Sequence, residues 1–161
     1  MRFIFSIGKI FSFCFVIVYT FSSCKTTLNI NGTEVPKKVT IFLTGNATTG
    51  ELTMKDSAGN SAEVFDAWAG QKIKWEVDKS TIKHVDSMPP KTSNINAIFK
   101  KKPHKIFLSK NWQGTIQVKE ELTEHGVLGD GGKYYYDYDI KWTDKKNGIT
   151  HTKDPRIQVK S

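Results

Sequence analysis

The chain has 161 residues, with 24 Lys or Arg against 16 Asp or Glu, and the 138 from position 24 onward suit one domain with a core but are cramped for two. The positive balance does not read as nucleic-acid binding. The lysines are scattered, and Arg156 is the only arginine beyond the N-terminal segment, whereas base readers lean on arginine for bidentate contacts.

At the N-terminus, Arg2 and Lys9 precede an uncharged apolar run, residues 10–21 (IFSFCFVIVYTF). As a helix this run covers about 18 Å, short of the roughly 30 Å hydrocarbon core, so it reads as a secretory signal rather than a spanning helix. The residues that follow, Phe21, Ser22 and Ser23 ahead of Cys24, resemble the lipobox of bacterial lipoproteins, in which the cysteine receives diacylglycerol. That family usually places Leu where Phe21 stands. The resemblance implies a signal over 1–23, lipid attachment at Cys24, palmitate among the acyl chains, and residence in a Gram-negative cell envelope. Lys25 after the cysteine, in place of aspartate, is similar to the outer-membrane sorting pattern. The alternative is an ordinary signal-peptidase cut after Ser22, which releases a soluble protein. Either cut removes Cys14, and acylation of Cys24 leaves no free thiol, no disulfide and no thiolate ligand. The mature part then holds 22 basic and 16 acidic residues, a net charge of +6.

Residues 24–37 (CKTTLNINGTEVPK) are polar without a strong period and are expected to act as a flexible tether ahead of a domain at 38–161. From Lys38 the pattern is alternation. KVTIFLT, ELTMKDS, AEVFDAW and KIKWEVD are short strands separated by Gly, Asn, Asp or Ser. Residues 95–99 and 105–108 are weaker candidates, and GTIQVK at 114–119 is a good one. The clearest is YYYDYDIKWT at 134–143, which sets Tyr134, Tyr136, Tyr138, Ile140 and Trp142 on one face and Tyr135, Asp137, Asp139, Lys141 and Thr143 on the other. RIQVK, after Asp154-Pro155, is the last. No segment sustains a helical period, and LTEHGVL at 122–128 offers one turn at most. Eight to nine short strands imply an all-β, antiparallel Greek-key sandwich.

Several pieces resemble a cupredoxin-type sandwich: WAGQKIKWEV (68–77), WQGTIQV (112–118), YYDYDI (135–140) and the closing DPRIQV. An immunoglobulin-like sandwich produces many of the same signals. The resemblance implies a copper carrier, but its blue site needs a thiolate with two imidazoles and a weak axial ligand. Ile140 stands where that family has its cysteine, so the mononuclear blue site does not carry over.

Other chemistry is thin. His84, His104, His125 and His151 stand alone in sequence, with His84 and Met88 a conceivable soft-metal pair; no cofactor is expected. Asp137 and Asp139 share a strand face and invite comparison with a general acid/base pair, though the wet face of a sheet explains them. No nucleophile elbow, P-loop or His-Glu-x-x-His motif occurs, and a non-enzyme is expected. Trp68 and Trp112, each beside turn residues, are candidates for stacking on a sugar, while Trp75 and Trp142 are in phase with core positions. Asn31 and Asn46 begin N-glycan sequons that a bacterial lipoprotein does not ordinarily use. Asp56-Ser57-Ala58 resembles an O-glycan acceptor triplet of some envelope proteins, with Ser57 the acceptor. The expected protein is therefore a monomeric, lipid-anchored binding or structural module for a protein or glycan. A copper or electron carrier with a non-standard His/Met site is the alternative.

Overall fold

The computed structural model describes residues 27–30, 32–89, 91, 98–107, 109–117 and 134–160. Among them there is no helix, and the chain runs through thirteen strands: β1 (Thr27–Ile30), β2 (Thr33–Pro36), β3 (Lys38–Asn46), β4 (Glu51–Lys55), β5 (Val64–Trp68), β6 (Lys72–Val77), β7 (Ile82–Ser87), β8 (His104–Lys105), β9 (Trp112–Thr115), β10 (Tyr134–Asp137), β11 (Ile140–Asp144), β12 (Thr150–Lys153) and β13 (Arg156–Lys160). One layer is a five-stranded sheet in the order β4-β3-β6-β9-β8. Across from it lie two three-stranded sheets, β10-β13-β5 and β12-β11-β7. The alternation in KVTIFLT and KIKWEV is what makes this a sandwich: Ile41, Leu43, Ile73, Trp75 and Val77 turn inward, and the residues between them face water.

Seven of the nine strand pairings are antiparallel. The other two, β3 beside β6 and β13 beside β5, are parallel. Parallel neighbours cannot be joined by a hairpin, so the chain leaves β3 through β4, crosses to the opposite layer as β5, and returns as β6. These crossings tie the two layers together.

Four features depart from the pattern read along the chain. Within the segment expected to serve as a tether, β1 and β2 pair as a hairpin around Gly32, and Val35 is buried. The expected strand at 134–143 is two strands. The amides of Tyr138 and Asp139 leave the ladder to donate to the carbonyls of Pro155 (3.3 Å) and Pro89 (2.9 Å). Thr143, expected on the wet face, is buried, because pairing between β11 and β7 shifts register on either side of it. Strands β7 and β12 did not announce themselves in the sequence at all. Of the expected elements, 95–97 of the candidate at 95–99, 108 of that at 105–108, 118–119 of that at 114–119 and the whole turn at 122–128 lie outside the described residues.

The core is aromatic. Trp75 of β6 donates its indole Nε1–H to the Tyr138 hydroxyl at 3.0 Å, joining the two layers through a buried hydrogen bond. Tyr136 stacks on Tyr138 with ring centroids 5.2 Å apart, and Phe99 meets Tyr136 edge-on at 5.0 Å. Burial pushes both phenols above the ordinary tyrosine range.

The parallel register gives the sandwich a polarity. At one end, where the chain enters from β2, Gln71 Nε2 donates to the Pro36 carbonyl (2.7 Å) and the Lys72 amide to that of Lys37 (2.9 Å). At the other end lie the turns after β3 and β6 and the β11–β12 turn.

Candidate functional site

Those three turns build a cleft of about 460 Å³ lined by Thr44, Gly45, Asn46, Ala47, Thr48, Thr53, Ser80, Thr81 and Lys146. Each turn is closed by its own short polar side chain. Asn46 Oδ1 accepts from the Thr48 and Thr49 amides at 2.9 and 3.2 Å. Asp78 accepts from the amide and hydroxyl of Ser80 (2.8 and 2.6 Å) and from the Thr81 hydroxyl (3.1 Å). Asp144 accepts from the amides of Asn147 (2.5 Å) and Ile149 (3.0 Å). Cross-links then fix the turns to one another. Thr81 receives the Gly45 amide on its hydroxyl and the Lys145 amide on its carbonyl, and Asn147 Nδ2 reaches the Ala47 carbonyl at 3.3 Å.

Two glycines let the walls approach. A Cβ at Gly45 would sit 2.7 Å from Trp142 Cη2 and 3.1 Å from Ile82 Cγ1, so β3 can lie against the indole only without a side chain. Gly50 has φ +73° and faces His151, whose Nδ1 would lie 2.7 Å from an added Cβ. His151 in turn packs on Trp142 with ring centroids 4.7 Å apart and sets its Nε2 3.2 Å from Asp144 Oδ2. Beneath the cleft, therefore, lies a brace of Trp142, His151 and the fully buried Asp144. Above it, the hydroxyls of Thr44, Thr48 and Thr53 and the Lys146 ammonium have no protein partner among the described residues.

The Asn147 amide, foremost, holds the Asp144 carboxyl below the ordinary value of 3.8, with burial opposing and the His151 ring and the Ile149 and Gly148 amides assisting. A carboxylate whose folded pKa is depressed contributes stability that is fully present above its unfolded value and disappears as pH falls through the folded one. Asp144→Asn is therefore expected to weaken the fold at about pH 7 and to narrow the gap from wild type below about pH 3.8. Urea unfolding across that range reads both effects. A gap that stays constant with pH would show that the charge is not what holds the turn.

The candidates singled out along the chain are dispersed. His84 on β7 shares a face with Thr143, its partner in register, whereas His151 on β12 shares the opposite face with Trp142. His84 Nε2 lies 2.8 Å from Asp86 Oδ1, and Asp86 Oδ2 accepts the Thr143 hydroxyl at 3.0 Å. The carboxylate thus stands between imidazole and hydroxyl, and the His84 ring activates no nucleophile there. Met88 is buried in the core. His104 is exposed in the other layer with Nε2 at 3.0 Å from Gln113 Nε2, and His125 lies outside the described residues. Among the described residues no three of His, Cys, Asp and Glu gather to hold a metal. Asp137 is gripped by Arg156 through Nε (2.5 Å) and Nη2 (3.0 Å), while Asp139 lies 3.6 Å from Lys91, itself paired with Asp154; the two carboxylates are each engaged by a cation. Trp68 is half-buried on β5 with the Lys160 ammonium 5.9 Å from its ring. Trp112, on β9 in the other layer, sits opposite Trp75 and packs on the core. Ser57 is exposed in a turn that Asp56 closes. Cys24 and Asn31 lie outside the described residues.

Sequence reading passed over the cleft and Asp144. The one local signal was Asn147-Gly148, a turn pair four residues before His151, in a segment otherwise weighed only for copper ligands.

No protein-family model matches the chain, and no curated protein matches it. What defines it is its own fold and geometry: an all-β sandwich with a braced polar cleft at one end.

Proposed function

We propose that this is a lipid-anchored protein of a Gram-negative envelope, held at the outer membrane through Cys24. Its sandwich is a non-catalytic binding module that takes a saccharide in the cleft between the three turns. The observation supporting this reading is a rigid rim that carries unspent donors. Thr44 and Thr53, paired on β3 and β4, and Thr48 offer hydroxyls and Lys146 an ammonium, while the turns beside them are internally satisfied. Such groups suit vicinal hydroxyls and sugar carboxylates, and they are pre-organised, so little ordering entropy is lost on binding. The copper-carrier alternative draws no support from His84 and His151, which face away from each other.

The combined change Thr53→Val with Lys146→Ala is expected to lower affinity for a muropeptide or oligosaccharide about tenfold, the loss of one or two hydrogen bonds. Tm should not move, since both side chains lack partners among the described residues. Titration calorimetry against a panel of soluble muropeptides and neutral oligosaccharides reads the effect. Retention that disappears with Trp68→Ala while the cleft variant binds normally would place the site on β5 and overturn the assignment.

A further inference from the structure

Strand β8 is an edge of the five-stranded sheet, and the chain around it is unusual in charge. Residues 87–119 contain seven lysines and no Asp or Glu. Lys100, Lys101, Lys102 and Lys105 are all exposed along this edge, with Lys110 on the far side of the β8–β9 turn. At the tip stands Phe107, 87 % exposed, the most exposed of the large apolar side chains among the described residues. Described residues on both sides of the tip are hydrogen-bonded. The Ile106 amide donates to the Asn111 carbonyl (2.8 Å), the Ser109 amide to the Ile106 carbonyl (3.1 Å), and Asn111 Oδ1 accepts the Val77 amide at 3.0 Å.

Lysines on an edge strand have a plain use, since they deter pairing with another sheet. That use does not account for a phenyl ring held in water at the tip of the same edge. An aromatic side chain at the end of a lysine-rich edge matches the boundary between acyl chains and anionic headgroups, where the ring is buried and the lysines reach phosphate.

The edge also lies close to where the chain enters the domain. The Lys72 amide is bonded to the Lys37 carbonyl, Lys72 faces Thr115 in register, and the Lys100 amide is bonded to the Thr115 carbonyl. Three strand spacings, roughly 14 Å, therefore separate the entering chain from the lysine run. From there the edge runs toward Phe107 at the end that carries the cleft.

We infer that the β8–β9 edge is a second membrane contact: Lys100, Lys101, Lys102 and Lys105 meet anionic headgroups, Phe107 enters the headgroup boundary, and the domain lies along the leaflet. That this leaflet is the one holding the anchor rests on the proposed acylation of Cys24. With the domain lying this way, the cleft opens along the membrane plane, toward ligands near the surface.

The test uses the full lipidated chain loaded on vesicles of phosphatidylglycerol or of phosphatidylcholine, with hydroxyl-radical footprinting of Phe107. Oxidation of Phe107 is expected to fall about threefold or more on the anionic vesicles, and to recover at high salt and in Lys101→Glu/Lys102→Glu/Lys105→Glu. These lysines are exposed, so the variant keeps its fold. Equal oxidation on both vesicle types overturns the contact. Protection that grows with protein density on neutral vesicles places a second copy over the edge strand and overturns it as well. Flotation separates the anchor from the edge: a chain that never loads on either vesicle fails at Cys24, whereas a loaded chain with unprotected Phe107 fails at β8–β9.

Discussion

Trp142→Ala is expected to destabilise the sandwich by about 3–5 kcal/mol, on the order of half the stability of a domain this size. The indole is fully buried. Gly45 lies against its six-membered ring, and the His151 ring packs at 4.7 Å. A cavity there cannot be closed by β3, whose Gly45 has no side chain to fill it. The loss also reaches the cleft, because His151 then loses the ring it packs on and keeps only its contact to Asp144. Trp142→Phe should cost far less, about 1 kcal/mol, since Trp142 Nε1 has no hydrogen-bond partner among the described residues and its removal leaves none of them newly orphaned. Urea unfolding of the three proteins gives the comparison. Equal losses for the two variants would mean that ring shape, rather than filled volume, governs this end of the core.

Cys24→Ser is expected to abolish incorporation of labelled palmitate and the mass increment of a diacylglycerol thioether, while leaving the sandwich folded. A serine hydroxyl cannot replace the thiol in the acylation chemistry, and the side chain precedes all the described strands. Mass spectrometry of the mature N-terminus checks the wild type directly. A chain that begins at an unmodified Ser23 would overturn the anchor, and with it the placement at the outer membrane, but would leave the cleft and its ligand open to the same titrations.

Much of the fold is legible in short stretches because a strand with one wet face writes its orientation as alternation. KVTIFLT, ELTMK and KIKWEV became β3, β4 and β6 with alternate residues inward, and Tyr136, Tyr138, Ile140 and Trp142 are all buried. The pattern failed where burial does not come from apolar side chains. Strand β12 (THTK) has no apolar residue, and its place in the sheet is set by pairing with β11. In β7 only Ile82 and Val85 are buried apolar residues, three apart, because register shifts against β11 spoil the two-residue period.

The site was less legible still. Thr44 and Thr53 are opposite in register, yet Ser80, Thr81 and Lys146 join them only through turns far apart in the chain. Asp144 reads in sequence as one more surface carboxylate in a lysine-rich turn. It is buried because β11 shifts register there and because the Asn147 and Ile149 amides turn back to satisfy it. Likewise, the lysines at 100–105 look like a solvated run until the sheet order makes β8 an edge and the β8–β9 turn holds Phe107 out beside them.

The sequence by itself determined what depends on neighbours along the chain: an all-β domain, the inward faces of its central strands, and the expectation of a signal and an anchoring cysteine. These follow from periodicity and from the chemistry of single residues. Only the tertiary structure decided that two strand pairs run parallel, that His84 and His151 turn their backs on each other, and that three turns close over Trp142 to make a cleft. Those outcomes depend on which strands become neighbours, and strand pairing is settled by packing two layers around one aromatic core rather than by anything local to the segments that meet.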